Sequence, residues 1–228
     1  MIIDITVLTE NFDRYLAGFW GTTLASVLSL VASFILGTII AVFRITPFKP
    51  LQWFGTAYVE FIRNIPLILI AFFVFVGFPL LTGVRFDNFT TGVMALSVYT
   101  SAFIAEAIRA GIMAVPKGQM EAARSAGLTY IQAMWHVILP QAVKMVVPPL
   151  GNQFLNLVKN TSIFTVISAA DLMYQADLIN ADTYKTFSTY IFAAVFYLIL
   201  TIPLSFGVRY LEKRYDSPQR GGSTQWTS

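Results

Sequence analysis

Cysteine is missing from this 228-residue sequence, and histidine occurs once, as His136. The first absence excludes disulfides and thiolate metal sites, and the second excludes a multi-histidine one, so no metal is expected. Charge is scarce. Charged residues make up 12% of the chain, against roughly a quarter in an ordinary soluble domain. The net charge of +3 is small, and no basic–aromatic pattern of a nucleic-acid binder is present. There is no G-x-x-x-x-G-K-[ST] run, so the chain cannot cradle ATP phosphates by that device. H-E-x-x-H, G-x-S-x-G and a cysteine nucleophile are also missing, which speaks against an intramembrane hydrolase and leaves no candidate catalytic residue. Asp4, Glu10 and Asp13 stand where a signal peptide would carry lysine or arginine, so no cleaved signal is expected.

What is present is apolar. Hydrophobic residues make up 56% of the chain, enough for four to six spans of about 20 residues each. The expected fold is an all-α integral membrane protein with about five transmembrane helices. A polar lead, 1–15, precedes a first span at about Leu16–Phe43. A second block, Leu51–Leu81, is too long for one plain span and contains Asn64-Ile65-Pro66, which predicts a break or bend. The third span is about Phe89–Met113, the fourth Gln141–Ile167 and the fifth Phe187–Val208. The membrane domain is thus 16–208, and 209–228 reads as a solvated tail.

Five spans put the termini on opposite sides. Arg44, Lys49, Arg63, Arg109, Lys117, Arg124, Lys144, Arg209, Lys213, Arg214 and Arg220 fall on one side, against Arg14, Arg85 and Lys185 on the other. The positive-inside rule then places the C-terminus and the loop 116–140 in the cytoplasm and the N-terminus outside.

That loop is the longest stretch of mixed polarity between apolar blocks. Glu121–Ala126 favour a helix, Gly127 interrupts it, and Thr129–Leu139 form a second run. Ile131, Met134, Trp135 and Ile138 recur at helical spacing and predict one amphipathic face. Pro140 is expected to stop or kink this helix. Such a hairpin suits docking into a groove on another protein. An interfacial hairpin packed only on its own chain would look similar in composition.

Ionisable and amide residues inside spans are functional candidates, because burying them in hydrocarbon costs several kcal/mol on most estimates. Glu106 shares a helix face with Tyr99 and Phe103. It either faces a cavity, where it could hold an ammonium or guanidinium group, or pairs with Arg109 at i+3. Asn152, Asn156 and Lys159 form a stripe on the fourth span, either lining a path or bonding between helices. Asn64, next to Pro66, and Asn160-Thr161-Ser162 are candidates for unwound backbone, where a half-helix N-terminus would suit a substrate carboxylate.

The spacing in the loop resembles a known family. Glu121-Ala122-Ala123, then Gly127, then Val137, Leu139 and Pro140 match the EAA loop of importer-type ABC transporter permeases, with valine where isoleucine is usual. Arg63-Asn64-Ile65-Pro66, TSAFIAEAIRAGIMAVPKGQMEAARSAG, ILPQA and LVKNTSIFTVI extend the likeness from about Phe19 to Tyr215 and point to the polar amino acid class. Asn160 stands where this family often has aspartate. The resemblance implies a prokaryotic plasma-membrane permease with no cofactor of its own. Its implied partners are P-loop ATPase subunits docked on Glu121, Ala122, Ala123, Gly127, Leu139 and Pro140, a second permease subunit (identical or paralogous), an extracytoplasmic solute-binding protein and an amino acid substrate. An ion-coupled secondary transporter or channel for a small polar solute is the alternative class, although no internal repeat supports it.

Overall fold

The computed structural model describes residues 3–215, which are helical with no strand among them. The first long helix, α2 (Phe12–Ile45), follows a short helix, α1 (Thr6–Glu10). Helix α3 (Lys49–Arg63) ends at Asn64, and Pro66, with no N–H to continue the ladder, starts α4 (Leu67–Phe72). The axes before and after this break differ by 109°. The Asn64 side chain donates to the Glu60 carbonyl at 2.7 Å, supplying one of the bonds lost at the helix end. A π turn, Phe73–Gly77, leads into α5 (Phe78–Thr82). After a short loop come α6 (Asn88–Met113), α7 (Lys117–Ser125) and α8 (Tyr130–Ala133). A second π turn, Met134–Ile138, joins α8 to α9 (Leu139–Asn160), which tightens into a 3-10 segment, Thr161–Ile167. Helices α10 (Leu172–Thr183) and α11 (Thr186–Tyr215) complete the described chain.

Helix α6 is the centre. Helices α2, α3, α4 and α9 all pack against it, and α11 packs on α9. The contact faces are made of small side chains. On α2 the buried positions run Gly18, Thr22, Ala25, Ser26, Ser29, Ser33, Gly37 and Ala41, while Leu24, Leu28, Val31, Ile35 and Ile39 point outward. This is the reverse of a soluble helix. It is what a bilayer selects, because lipid tails are as apolar as leucine and close backbone approach drives association. A Cβ on Gly18 would sit 2.7 Å from the Leu172 Cα, so α10 can lie against α2 only over a glycine.

By length and composition, α2, α6 and α11 are each able to cross a membrane, and the bent pair Lys49–Arg63 with Leu67–Thr82 is either a fourth, broken span or a re-entrant loop. Five were expected. The shortfall is α9, which is long enough but carries Lys144, Pro148, Pro149, Asn152, Gln153, Asn156 and Lys159. Other boundaries also move. Helix α2 starts at Phe12 rather than Leu16, and α1 is anchored by Val7, which is buried with Tyr15, Leu172 and Ile179. Residues 209–215, expected in a solvated tail, continue α11, because nothing between Val208 and Tyr215 breaks a helix. The rest of the expected tail, 216–228, lies outside the described residues.

Candidate functional site

Two regions carry the candidate residues. The first is the hairpin between α6 and α9. Its turn is closed by local bonds alone. At the end of α7 the Gly127 N–H donates to the Arg124 carbonyl at 3.0 Å, and the Leu128 N–H donates to the Ala123 carbonyl at 3.2 Å. This is a Schellman closure, and it needs Gly127 at φ +87°, a left-handed conformation that costs a side-chain-bearing residue energy. The Arg124 guanidinium also donates to the Leu128 carbonyl at 2.9 Å. Thr129 and Gln132 then form a reciprocal capping box that starts α8.

Pro140 does not stop the helix, the first of the two outcomes expected of it. The preceding π turn lets the Leu139 N–H reach back to the Met134 carbonyl, so the chain enters α9 with Pro140 in its first turn, where no N–H is required. From Tyr130 to Asn160 the backbone is one continuous helical rod. The wide turn also divides the predicted amphipathic face. Ile138 is buried and Met134 half-buried, packed against Val115, Ile112 and Met120. Ile131 and Trp135 point away, 77% and 68% exposed. Glu121, Ala122, Arg124 and His136 share the exposed surface, whereas Ala123 is buried within the hairpin. Gln141 ties the start of α9 to α7 through a 3.3 Å bond to Gln119.

The second region is the C-terminal half of α6. Glu106 accepts from Arg109 at 2.7 Å and also bonds to Arg44, and Arg63 lies 3.9 Å away. The pairing with Arg109 was one of the two readings open in sequence. Arg44 and Arg63 were missed, because they lie on α2 and α3 and no spacing rule links them to α6. The side chains of Arg44 and Glu106 are 7% and 23% exposed. Arg63 also sits over the Phe103 ring, 5.6 Å from its centroid, and Tyr99 packs on Phe103 at 4.9 Å. The cluster is therefore rich in guanidinium groups around one carboxylate, and the Glu106 oxygens already have partners.

The α9 stripe lies apart from that cluster. Asn152, Asn156 and Lys159 are exposed, while Gly151, Leu157 and Val158 on the other face are buried. Asn152 makes one long bond, 3.4 Å, to Glu212 on α11. Asn64 is exposed beside the helix break, and Ser162 is half-buried. Thr161 is fully buried, and its hydroxyl donates to the Val158 carbonyl at 2.9 Å.

Sequence reasoning also missed a polar network beyond the far end of α9. Asp171 caps α10 by accepting from the Tyr174 N–H at 2.9 Å, and the Tyr197 hydroxyl donates to it at 3.2 Å. Burial pushes its carboxyl up to about 6. Asp177 accepts from Tyr190 at 2.6 Å and from Thr165. The only sequence signal was an aspartate placed ahead of a helical run.

The comparisons with known proteins agree with this architecture. Residues 11–217 match the family model described as "Binding-protein-dependent transport system inner membrane component". The probable glutamine ABC transporter permease protein GlnM of Bacillus subtilis (strain 168) is 64% identical, over 94% of this chain and 99% of its own length. The arginine transport system permease protein ArtQ of the same organism is 34% identical, over 95% and 99%. A crystal structure of an amino acid ABC transporter with histidines superposes with a TM-score of 0.87 at 37% identity, over 94% of this chain and all of that one. An inward-facing MetNI methionine ABC transporter shares the fold at 20% identity, with a TM-score of 0.73 over 90% of this chain and 97% of that one. The chain belongs to the family of inner membrane components of binding-protein-dependent transport systems.

Proposed function

We propose that this chain is the permease subunit of an ATP-driven importer of polar amino acids, with the hairpin and the C-terminal end of α11 in the cytoplasm. The observation that carries the coupling role is the hairpin itself. Its turn is fixed by its own capping bonds, its outer surface presents Ile131, Trp135 and Glu121, and it runs into α9 without a break. A rigid body joined to a long helix transmits a push to that helix. ATPase subunits engage the exposed surface of Glu121, Ala122 and Trp135. Ala123, Gly127, Leu139 and Pro140 contribute by holding the hairpin's shape. Closure of the ATPases on ATP moves the hairpin and tilts α6 and α9 together.

The substrate passes on the side of α9 that carries Asn152, Asn156 and Lys159, between this chain and a second permease subunit. Polar side chains on the outside of a membrane helix are costly against lipid, so this face meets protein or water. Tyr99, Phe103, Asn64 and Ser162 belong to a second stretch of the path, apart from the α9 stripe, and Thr161 supports it from beneath. Glu106 contributes by holding Arg44, Arg63 and Arg109 in place. A solute-binding protein delivers the amino acid to the outer surface around α10. Glutamine and arginine, the solutes in the relatives' names, are the first to try.

The test is uptake of labelled amino acids by proteoliposomes containing the chain with its ATPase and binding protein. Ala122→Trp, which crowds the exposed surface of α7, should abolish ATP-dependent uptake while leaving membrane insertion intact. Uptake that persists in that variant, or that proceeds without ATP, would overturn the coupling reading in favour of an ion-coupled transporter.

A further inference from the structure

Beneath the hairpin lies a half-open cavity of about 320 Å³, bounded by the ends of α2 and α6, the first turns of α3, and the inner side of α7 to α9. One part of its wall is cationic, made by Arg44, Arg109 and Lys117, with Gln52 beside them. The rest is apolar, mainly Ile112, Met120, Met134 and Ile138. Glu106 pairs with Arg44 and Arg109, and Glu60 adds a further negative charge near Arg109. Arg63 shares the Glu106 carboxylate, which leaves Lys117 as the cation of this wall with no ion-pair partner among the described residues. Arg44 is buried, and its Nε has no acceptor among the described residues. Leaving a buried guanidinium N–H without a partner is costly, so the site is short of an acceptor.

Met113, the last residue of the apolar helix α6, lines the cavity and is exposed. Trp53, which follows the lining residue Gln52 in α3, is exposed, in the manner of an interfacial anchor. The lining therefore combines an oxyanion-seeking end with a greasy wall at a bilayer surface. A small aqueous anion would satisfy only the first, and an apolar chain only the second.

We infer that this cavity binds the phosphodiester headgroup of an anionic phospholipid from the leaflet on the hairpin's side. Arg44, Arg109 and Lys117 face the phosphate, and the apolar wall takes the start of the acyl region. The side chains that present the hairpin outward, Ile131 and Trp135, are not part of this lining. A lipid held here would wedge between the hairpin and the span ends, so leaflet charge would set how firmly the hairpin is seated.

The test uses the full-length chain in the complex in which it purifies from its native membrane, reconstituted in phosphatidylcholine nanodiscs carrying photoactivatable phosphatidylglycerol. Peptide mapping should place the label within 112–120 and 130–138. Lys117→Gln should lower labelling about fivefold, the effect of one interfacial cation, and Met120→Trp, which fills the cavity, should remove it. Equal labelling by photoactivatable phosphatidylcholine, competition by inorganic phosphate, or labelling that ignores both substitutions would overturn the assignment. So would a partner's peptide cross-linked in place of lipid. Labelling requires neither ATP nor uptake. A complex that labels as expected but does not transport would refute the proposed function and leave the lipid site standing.

Discussion

Helices α2 and α9 both lie against α6, yet their outward faces are opposites. Helix α2 buries serine, threonine and glycine and turns Leu24, Val31 and Ile35 out, while α9 buries Val146, Leu150 and Leu157 and turns Asn152, Asn156 and Lys159 out. The first pattern fits an acyl-chain environment and the second does not. By composition, one face suits lipid and the other suits protein or water.

The contrast can be broken from several directions. The largest effect is expected at the tie between α2 and α6. Glu106→Gln leaves Arg44 buried without its counter-charge, a loss of about 3–5 kcal/mol, read as a lowered thermal midpoint of the purified complex in detergent. Next comes a direct exchange of the two faces. Val31→Lys puts a charge against lipid and should cost insertion about 2.5–3.5 kcal/mol, measured as the membrane-inserted fraction. Asn156→Leu should leave that fraction unchanged and lower uptake. If Val31→Lys inserts normally, α2 does not face lipid.

The third prediction concerns the packing of α10 on α2. Asp171 has an ordinary carboxyl value of 3.8, pushed up to about 6 by burial. The folded protein therefore binds more protons than the unfolded chain between those values, and stability falls as pH rises from about 4 to 6. The loss is at most about 3 kcal/mol and is complete above that window. Asp171→Asn keeps the α10 cap and should flatten the midpoint across the same pH range. A slope that survives this substitution would assign it elsewhere. The smallest effect lies at the start of the α8–α9 rod. Gly127→Ala should cost about 1 kcal/mol from its left-handed φ, visible as faster amide exchange at Leu128 and Thr129 with the spans unchanged.

How much of this was legible depends on how local each cause is. The break at Asn64-Ile65-Pro66 and the turn at Gly127 are set by residues adjacent in sequence, and both were readable. The start of α10 was not read, since an aspartate ahead of a helical run is its only local signal and the burial of Asp171 depends on Gly18 and Thr22. The stripe on α9 could be drawn from spacing, but its exposure depends on the partners that Gly151 and Val158 pack on. The association of Arg44 with Glu106 spans 62 residues and joins two helices, so no periodicity reports it. Reading Pro140 as a stop failed because proline's missing N–H matters only where a bond is due, and the π turn removes the demand.

That turn has a further consequence. A π turn takes an extra residue relative to an α turn, and one residue advances an α-helix by about 100°. The segment Met134–Ile138 therefore sets the angular phase between the surface that the hairpin presents and the polar side of α9. A one-residue deletion there would leave both surfaces chemically intact and rotate one against the other by about a quarter turn. Phe73–Gly77 stands in the same relation to Pro79. At both places the chain fixes the rotational register of the next helix by inserting one residue just ahead of a proline.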